Sequence, residues 1–293
     1  MATHVVRTVL DGLYFGEGPR WHDGSLWFSD MHDHRVVRTD LDANASTVVT
    51  ITHDEPSGLG WLPDGRLLVV AMETQRLLRV EHDGTIAEHG DLSSLARGSI
   101  NDMIVAADGT AYVGDMGTRI FVEGSERVPG QTIRVTPDGQ ISCAADDLAS
   151  PNGHILSEDG RTLIVAESGG GRLTAFDVLD DGTLANRRTF ATLTPEKEGV
   201  VFAPPDGICL DAEGAVWVAD PLGARVIRVR EGGEITDSIG FDDVIPVACV
   251  LGGDDRRTLL MCVAADWHAE VVKRAPTARI DACEVDVPGA GRP

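Results

Sequence analysis

The chain has 293 residues, with 47 Asp and Glu against 25 Lys and Arg and a formal net charge of −22. That balance excludes a polyanion as the main partner, because phosphate backbones are bound by clustered cations that displace counterions; neither nucleic acid nor an anionic membrane is expected. There is no apolar run of about 20 residues, and the opening MATHVVRTVLDGLYFGEG alternates and turns in place of forming a signal peptide, so a cytoplasmic protein is expected.

A first strand around Val5 to Leu10 is followed by a repeat. Its units are EGPRWHDGSLWFSD from Glu17, SGLGWLPDGRLLVVA from Ser57, NDMIVAADGTAYVGD from Asn101, NGHILSEDGRTLIVAE from Asn152 and DGICLDAEGAVWVAD from Asp206, with a degenerate ACVLGGDDRRTLLMCVAA from Ala248. A period of about 40 to 50 residues punctuated by Asp-Gly turns signals propeller blades. Each unit predicts an apolar strand, a tight turn, a second strand such as LWFS or VWVA, and a third such as RVIRVR, with a fourth before the next repeat. Helical periodicity is nearly absent beyond a turn at Leu92 to Arg97. The expected fold is all-β, a single six-bladed β-propeller domain over residues 1–293, with the N-terminal strand pairing near Ile280 to Val285 to protect the ring's ends. The tryptophans at 21, 27, 61 and 217 fall in strand segments and are expected to pack between blades. Cys143, Cys209, Cys249, Cys262 and Cys283 have no C-x-x-C spacing and apolar neighbours, which predicts buried free thiols.

Equivalent positions of a propeller's first strands converge on the channel. The residue opening each repeat is Glu17, Ser57, Asn101, Asn152, Asp206 and Ala248. Two carboxylates and two amides aimed at one axis would be left unsatisfied without a cation between them, so Glu17, Asn101, Asn152 and Asp206 are expected to hold one divalent metal ion at the channel mouth. Hard oxygen donors suit Ca²⁺ first; Mg²⁺ and Mn²⁺ fit the same donors, and a catalytic Zn²⁺ with oxygen ligands stays open. Each Asn-Gly or Asp-Gly alone would be an ordinary turn, and only the shared register argues otherwise.

Loops joining second to third strands share the metal's face, which makes Met31, His32, Met72, Asp115, Met116, Glu167, Trp267 and His268 candidate substrate contacts, with Asp115, Glu167 or His268 a candidate proton relay. His154, two residues past Asn152, is expected to be structural. The longer connections Met116 to Gln131 and Thr194 to Pro205 are lid candidates.

Across Gly12 to Val271 the motifs GEGPRW, SINDMIV, SPNGHILSEDGRTLIVAE and PPDGICLDAEGAVWVADP resemble the senescence marker protein, gluconolactonase and luciferin-regenerating enzyme family. The resemblance implies a calcium-dependent propeller hydrolase in which Glu17, Asn101, Asn152 and Asp206 bind the metal and Asp206 is also the catalytic carboxylate. Sugar-lactone members carry an Arg two residues before the Asn of the NDG-type motif; here Ser99 stands at that place, a further candidate substrate contact, and Met103 replaces the motif's Gly. With three methionines also expected near the rim, a less polar lactone or ester fits as well as an aldonolactone. The expected function is metal-dependent lactone hydrolysis on a small-molecule substrate. A metal-dependent esterase or organophosphate hydrolase and a non-catalytic, metal-stabilised propeller are the alternatives. No G-x-S-x-G or H-E-x-x-H motif supports a serine hydrolase or a zinc peptidase.

Overall fold

Short alternating segments separated by Asp-Gly and similar turns form six four-stranded antiparallel sheets in the computed structural model, which describes residues 4–195 and 203–291. The first strands are Gly16–His22, Pro56–Trp61, Ile100–Val105, Pro151–Leu156, Ile208–Leu210 and Ile245–Gly252. Each touches the first strand of the blade before and after it, so the six close a ring around a channel. The fold is a six-bladed β-propeller.

Second strands such as Leu67–Ala71, Val216–Asp220 and Thr258–Ala264 are buried along their whole length, because each blade presses apolar side chains against the next on both faces. That explains why they read as continuous apolar runs, with roughly 1.5–3 kcal/mol gained for each large aliphatic side chain removed from water. The expected inter-blade tryptophans are in place: Trp61 stacks on His22 at 3.9 Å and meets Trp27 edge-on at 5.4 Å, between blades one and two. Trp217 is buried with Cys209 and Cys249 between blades five and six.

The ring is closed by the N-terminal strand, Arg7–Leu13, which becomes the outermost strand of blade six against Ala278–Glu284, with Arg7 opposite Ala282 and Leu13 opposite Ala278. The turn at 92–97 is present as well: the amides of Leu95 and Ala96 both donate to the carbonyl of Leu92. One expectation about the cysteines fails. Cys143 is exposed, since its strand, Ile141–Leu148, is the outer edge of blade three and has solvent on one face, whereas the other four thiols are buried. Among the described residues no helix is long and apolar enough to cross a membrane.

Candidate metal centre and substrate cleft

Each repeat's opening residue sits where its first strand leaves the mouth of the channel, and there the strands are irregular. Pairing with the second strand slips between Glu17 and Arg20, Pro56 and Leu59, Ile100 and Met103, and Pro151 and His154. Such bulges re-aim a side chain that regular pleating would send into the blade. The strands also crowd together at the axis. A Cβ on Gly153 would lie 2.7 Å from the carbonyl oxygen of Asp206, and one on Gly18, at φ +54°, 2.7 Å from that of Ser57. Only glycine fits directly after Glu17 and Asn152 for that reason.

The converging side chains form one hydrogen-bonded arc. The Ser57 hydroxyl donates to Asn101 Oδ1 at 2.6 Å, Asn101 Nδ2 donates to Asn152 Oδ1 at 2.9 Å, and Asn152 Nδ2 donates to Asp206 Oδ1. Glu17 completes the ring of donors; it is buried, and its carboxylate accepts from the Gly18 amide at 3.3 Å. Burial, followed by the charges of Asp206 and Asp102, raises the Glu17 pKa well above the usual carboxylate range. Burial likewise pushes Asp206 up to about 7, against the lowering effect of its bond from Asn152. The nearby Arg20 does not neutralise them, because its guanidinium is 2.7 Å from Asp102 and also donates to the carbonyl of Met103. Two carboxylates, two amide oxygens and a hydroxyl, with net negative charge at low dielectric, are a donor set that suits a hard divalent cation. Among the described residues no cluster of three His, Cys, Asp or Glu is found; only two of these five donors, Glu17 and Asp206, are carboxylates.

A second layer fixes the arc. Asp102 stands where blades one, two, four and five have glycine, and besides Arg20 it accepts the amides of Met103 and His154 at 2.8 and 3.2 Å. His154 is fully buried, its Nδ1 2.5 Å from the carbonyl of Asn152 and its Nε2 3.0 Å from the Thr132 hydroxyl. A carbonyl can only accept, so Nδ1 carries the proton; burial lowers the imidazole's pKa, and the neutral Nε2 accepts from Thr132. This is the structural histidine expected from the sequence.

Beside the arc lies a cleft of about 340 Å³. Asn152 and Asp206 lie at its polar end, and Met116, Pro221, Leu222, Val247 and Trp267 wall it. Met116 lies against the arc, its sulfur 4.0 Å from Asn101 Nδ2. The other candidates are placed differently. Met31 and Met72 are buried in the core. His32 is buried between the rings of Phe15 and Phe121, at 5.7 and 5.4 Å. Ser99 is fully buried; its hydroxyl donates to Glu73 and accepts the amide of Ile120 at 3.1 Å. His268 is exposed at the start of a short helix, Ala269–Val272, with Nδ1 2.7 Å from Asp266.

Asp115 and Glu167 serve the blades. Asp115 accepts the amides of Arg97, Gly98 and Gly117 and the side chain of Gln131. Glu167 is held by Arg172, Arg187, Thr174 and the amide of Ala149; burial would raise its pKa, but the bonds from Arg172, Thr174 and Ala149 keep it below the usual value. Asp30 and Asp220 occupy the same blade position and pair with Arg35 and Arg225.

The connection from Met116 to Gln131 lies folded across the mouth. Arg119 donates to the carbonyl of Glu73 at 2.5 Å, and Phe121 reaches His32 of blade one and lies 5.4 Å from the Lys273 ammonium. Of the second lid candidate, Thr194 to Pro205, residues 196–202 lie outside the described residues. Leu222 and Val247 were not anticipated from the sequence. Each adjoins a recognised position, Pro221 and Ala248, but apolar neighbours of a turn carry no signal of their own.

The chain is thus a six-bladed propeller with oxygen donors gathered at one mouth of its channel. The chain belongs to the SMP-30/Gluconolactonase/LRE-like family, whose model matches residues 15–265. It is 29% identical to regucalcin of Xenopus laevis over 94% of this chain and 91% of that one, and 30% identical to regucalcin of Gallus gallus over 92% and 89%. In fold it is similar to a luciferin-regenerating enzyme, with a TM-score of 0.81 and 20% identity over 99% of this chain and 98% of the other. It is also similar to a gluconolactonase from Xanthomonas campestris, with a TM-score of 0.73 and 22% identity over 97% and 90%.

Proposed function

We propose that the protein is a divalent-metal-dependent lactonase acting on a small-molecule lactone at the mouth of the propeller, with calcium the preferred ion. The observation that carries this reading is the gathering of oxygen donors at one mouth of the channel, with Asn152 and Asp206 of that set at the polar end of a cleft with largely apolar walls. Membership of a family that includes gluconolactonases supports it.

Glu17, Asn101, Asn152 and Asp206 would hold the ion, which when bound would supply polarisation of the ring carbonyl and charge stabilisation of the oxyanion. Asp206, partly exposed on the cleft, orients the attacking water and accepts its proton, and Asn152 holds that carboxylate in place through its amide. Asp102 and His154 act at one remove: Asp102 holds the amide of His154, whose Nδ1 donates to the carbonyl of Asn152 and so fixes the direction of its side chain. The apolar walls exclude bulk water from the reacting carbonyl.

The test is hydrolysis of aldonolactones and alkyl lactones by EDTA-treated protein with Ca²⁺, Mg²⁺, Mn²⁺ or Zn²⁺ restored. Metal-restored turnover is expected, and Asp206→Asn should abolish it in a folded protein. A second reading, a calcium-binding propeller without turnover, is favoured by the likeness to a calcium-binding regucalcin from Agrobacterium tumefaciens; it requires calcium binding with no lactone hydrolysed under any metal.

A further inference from the structure

The polar side chains around this mouth are nearly all committed to the protein itself. Among the described residues of the cleft, Ser168 is the one besides Asn152, Asp206 and the indole of Trp267 with a polar side-chain group, and it gives its hydroxyl proton to the carbonyl of Pro205 at 2.6 Å. Ser99 is spent on Glu73 and on the amide of Ile120, and the carboxylates of Asp115 and Glu167 are saturated by backbone amides, Gln131 and arginines. A ring bearing several hydroxyls would lose water here and find few partners, and buried polar groups without partners discriminate strongly against such a ligand.

The apolar side chains have the opposite disposition. Trp267 is 46% exposed and stands on the wall of the cleft, its ring 5.5 Å from that of the exposed His268. Leu222, Val247 and Met116 complete that wall, and Pro204 and Pro221 add rigid apolar surface. The segments around the same mouth carry four further exposed apolar side chains, Ile120, Val122, Val128 and Val271. Exposed large apolar groups gathered on one rim mark a surface that an apolar ligand covers. A volume of about 340 Å³ falls within the range of small-molecule sites and exceeds what a bare lactone ring needs.

Resting on the lactonase reading, we propose that the substrate is a lactone whose ring carries an apolar alkyl or aryl substituent, seated against Trp267, Leu222 and Val247 while the ring carbonyl faces Asp206. Trp267 and Leu222 are the specificity-determining residues. They lie in the connections that follow the second strands of blades six and five, and so can vary without disturbing the metal residues.

Binding and turnover separate this inference from the reading beneath it. Ring-substituted lactams, which resist hydrolysis, are titrated into the calcium-saturated full chain by calorimetry, with alkyl substituents of increasing length set against a polyhydroxylated lactam of the same ring size. Affinity is expected to rise about fourfold per methylene until the cleft is filled. Trp267→Ala and Leu222→Ser should each weaken the longest alkyl lactam by about tenfold and leave the unsubstituted ring within about twofold. Trp267 is exposed enough for its replacement to leave the fold intact, and Leu222→Ser supplies an independent variant. Tighter binding of the hydroxylated lactam, or affinity indifferent to chain length, would overturn the proposal. The matching lactones are then assayed: if the alkyl lactams bind as expected and no lactone is turned over, the apolar cleft stands and the hydrolase reading falls.

Discussion

At the scale of single residues, the two facing carboxylates decide how the centre behaves. Glu17 and Asp206 each lose water and repel one another, so replacing one removes a liability along with a ligand. Glu17→Gln in EDTA should therefore melt at or above the parent's Tm. Calcium at about 100 times its Kd should stabilise the parent by about 2.7 kcal/mol and leave the variant unmoved, which thermal melts with and without calcium will check. His32 offers a pH-dependent counterpart. Burial first, then the charges of Lys273 and His34, push its pKa from 6.5 to about 4, and its Nδ1 has no hydrogen-bond partner among the described residues. The unfolded chain thus holds the extra proton between those two values. Stability from His32 is complete above about pH 6.5 and drains as pH falls toward about 4, at no more than about 1.4 kcal/mol per pH unit. Urea titrations of the parent and His32→Gln across that window should diverge, the variant showing the flatter profile; parallel curves would remove the assignment. Ser99 shows where reading a residue type from sequence stops short. Its position two before Asn101 was visible, but its neighbours Glu73 and Ile120 come from other blades and connections, which no local pattern reveals. Ser99→Arg is expected to dislodge the 116–131 segment, read as faster proteolysis there, and not to install a sugar-binding arginine.

At the scale of elements, the blades are pinned by a repeated acid at the end of the second strand. Asp30, Glu167 and Asp220 each meet an arginine that opens the third strand, and Asp115 meets Gln131. The pairing follows from antiparallel register, in which Asp30 lies opposite Arg35 and Asp220 opposite Arg225. The periodic acids were plain in the sequence and suggested pocket residues, because their loops lie on the same side of the ring as the residues that open the repeats. The arginines five residues on in three of these blades were the missed signal. A carboxylate with a cation at a fixed cross-strand spacing in several repeats belongs to the repeat, whereas the rim set is distinguished by having no such partner. Arg225→Ala strands Asp220, whose side chain is 1% exposed, without its main counter-charge, and should cost about 3 to 5 kcal/mol in urea unfolding. Arg230→Ala, in a pair with Glu213 where both side chains are about half exposed, should cost less than about 1 kcal/mol. Equal costs would mean that burial does not govern these pairs.

At the scale of the whole molecule, the ring and its convergent site were visible in the sequence because equivalent repeat positions must meet at the axis. The cleft was not, because Pro204 comes from the connection into blade five, Leu222 from blade five and Val247 and Trp267 from blade six, at different repeat positions that meet only when neighbouring blades pack. Closure itself depends on the chain's start. Arg7–Leu13 is the fourth strand of blade six, and it buries Val9 and Leu13 while the Thr8 hydroxyl donates to Asp281 at 2.8 Å. The chain then passes directly to Gly16–His22 on the channel, so this one strand links the outer edge of the last blade to the inner edge of the first. Removing residues 1–13 would leave Ala278–Glu284 as an open edge with unpaired backbone groups and would free the entry to Glu17. Three effects should appear together: a lower urea midpoint, light scattering that grows with protein concentration as the bared edge finds other chains, and weaker calcium binding as Glu17 loses its fixed approach to the axis. Loss of stability with calcium affinity intact would instead show that the donor ring is held by blades three to five alone, through the arc from Asn101 to Asp206, and that Glu17 is secondary to it.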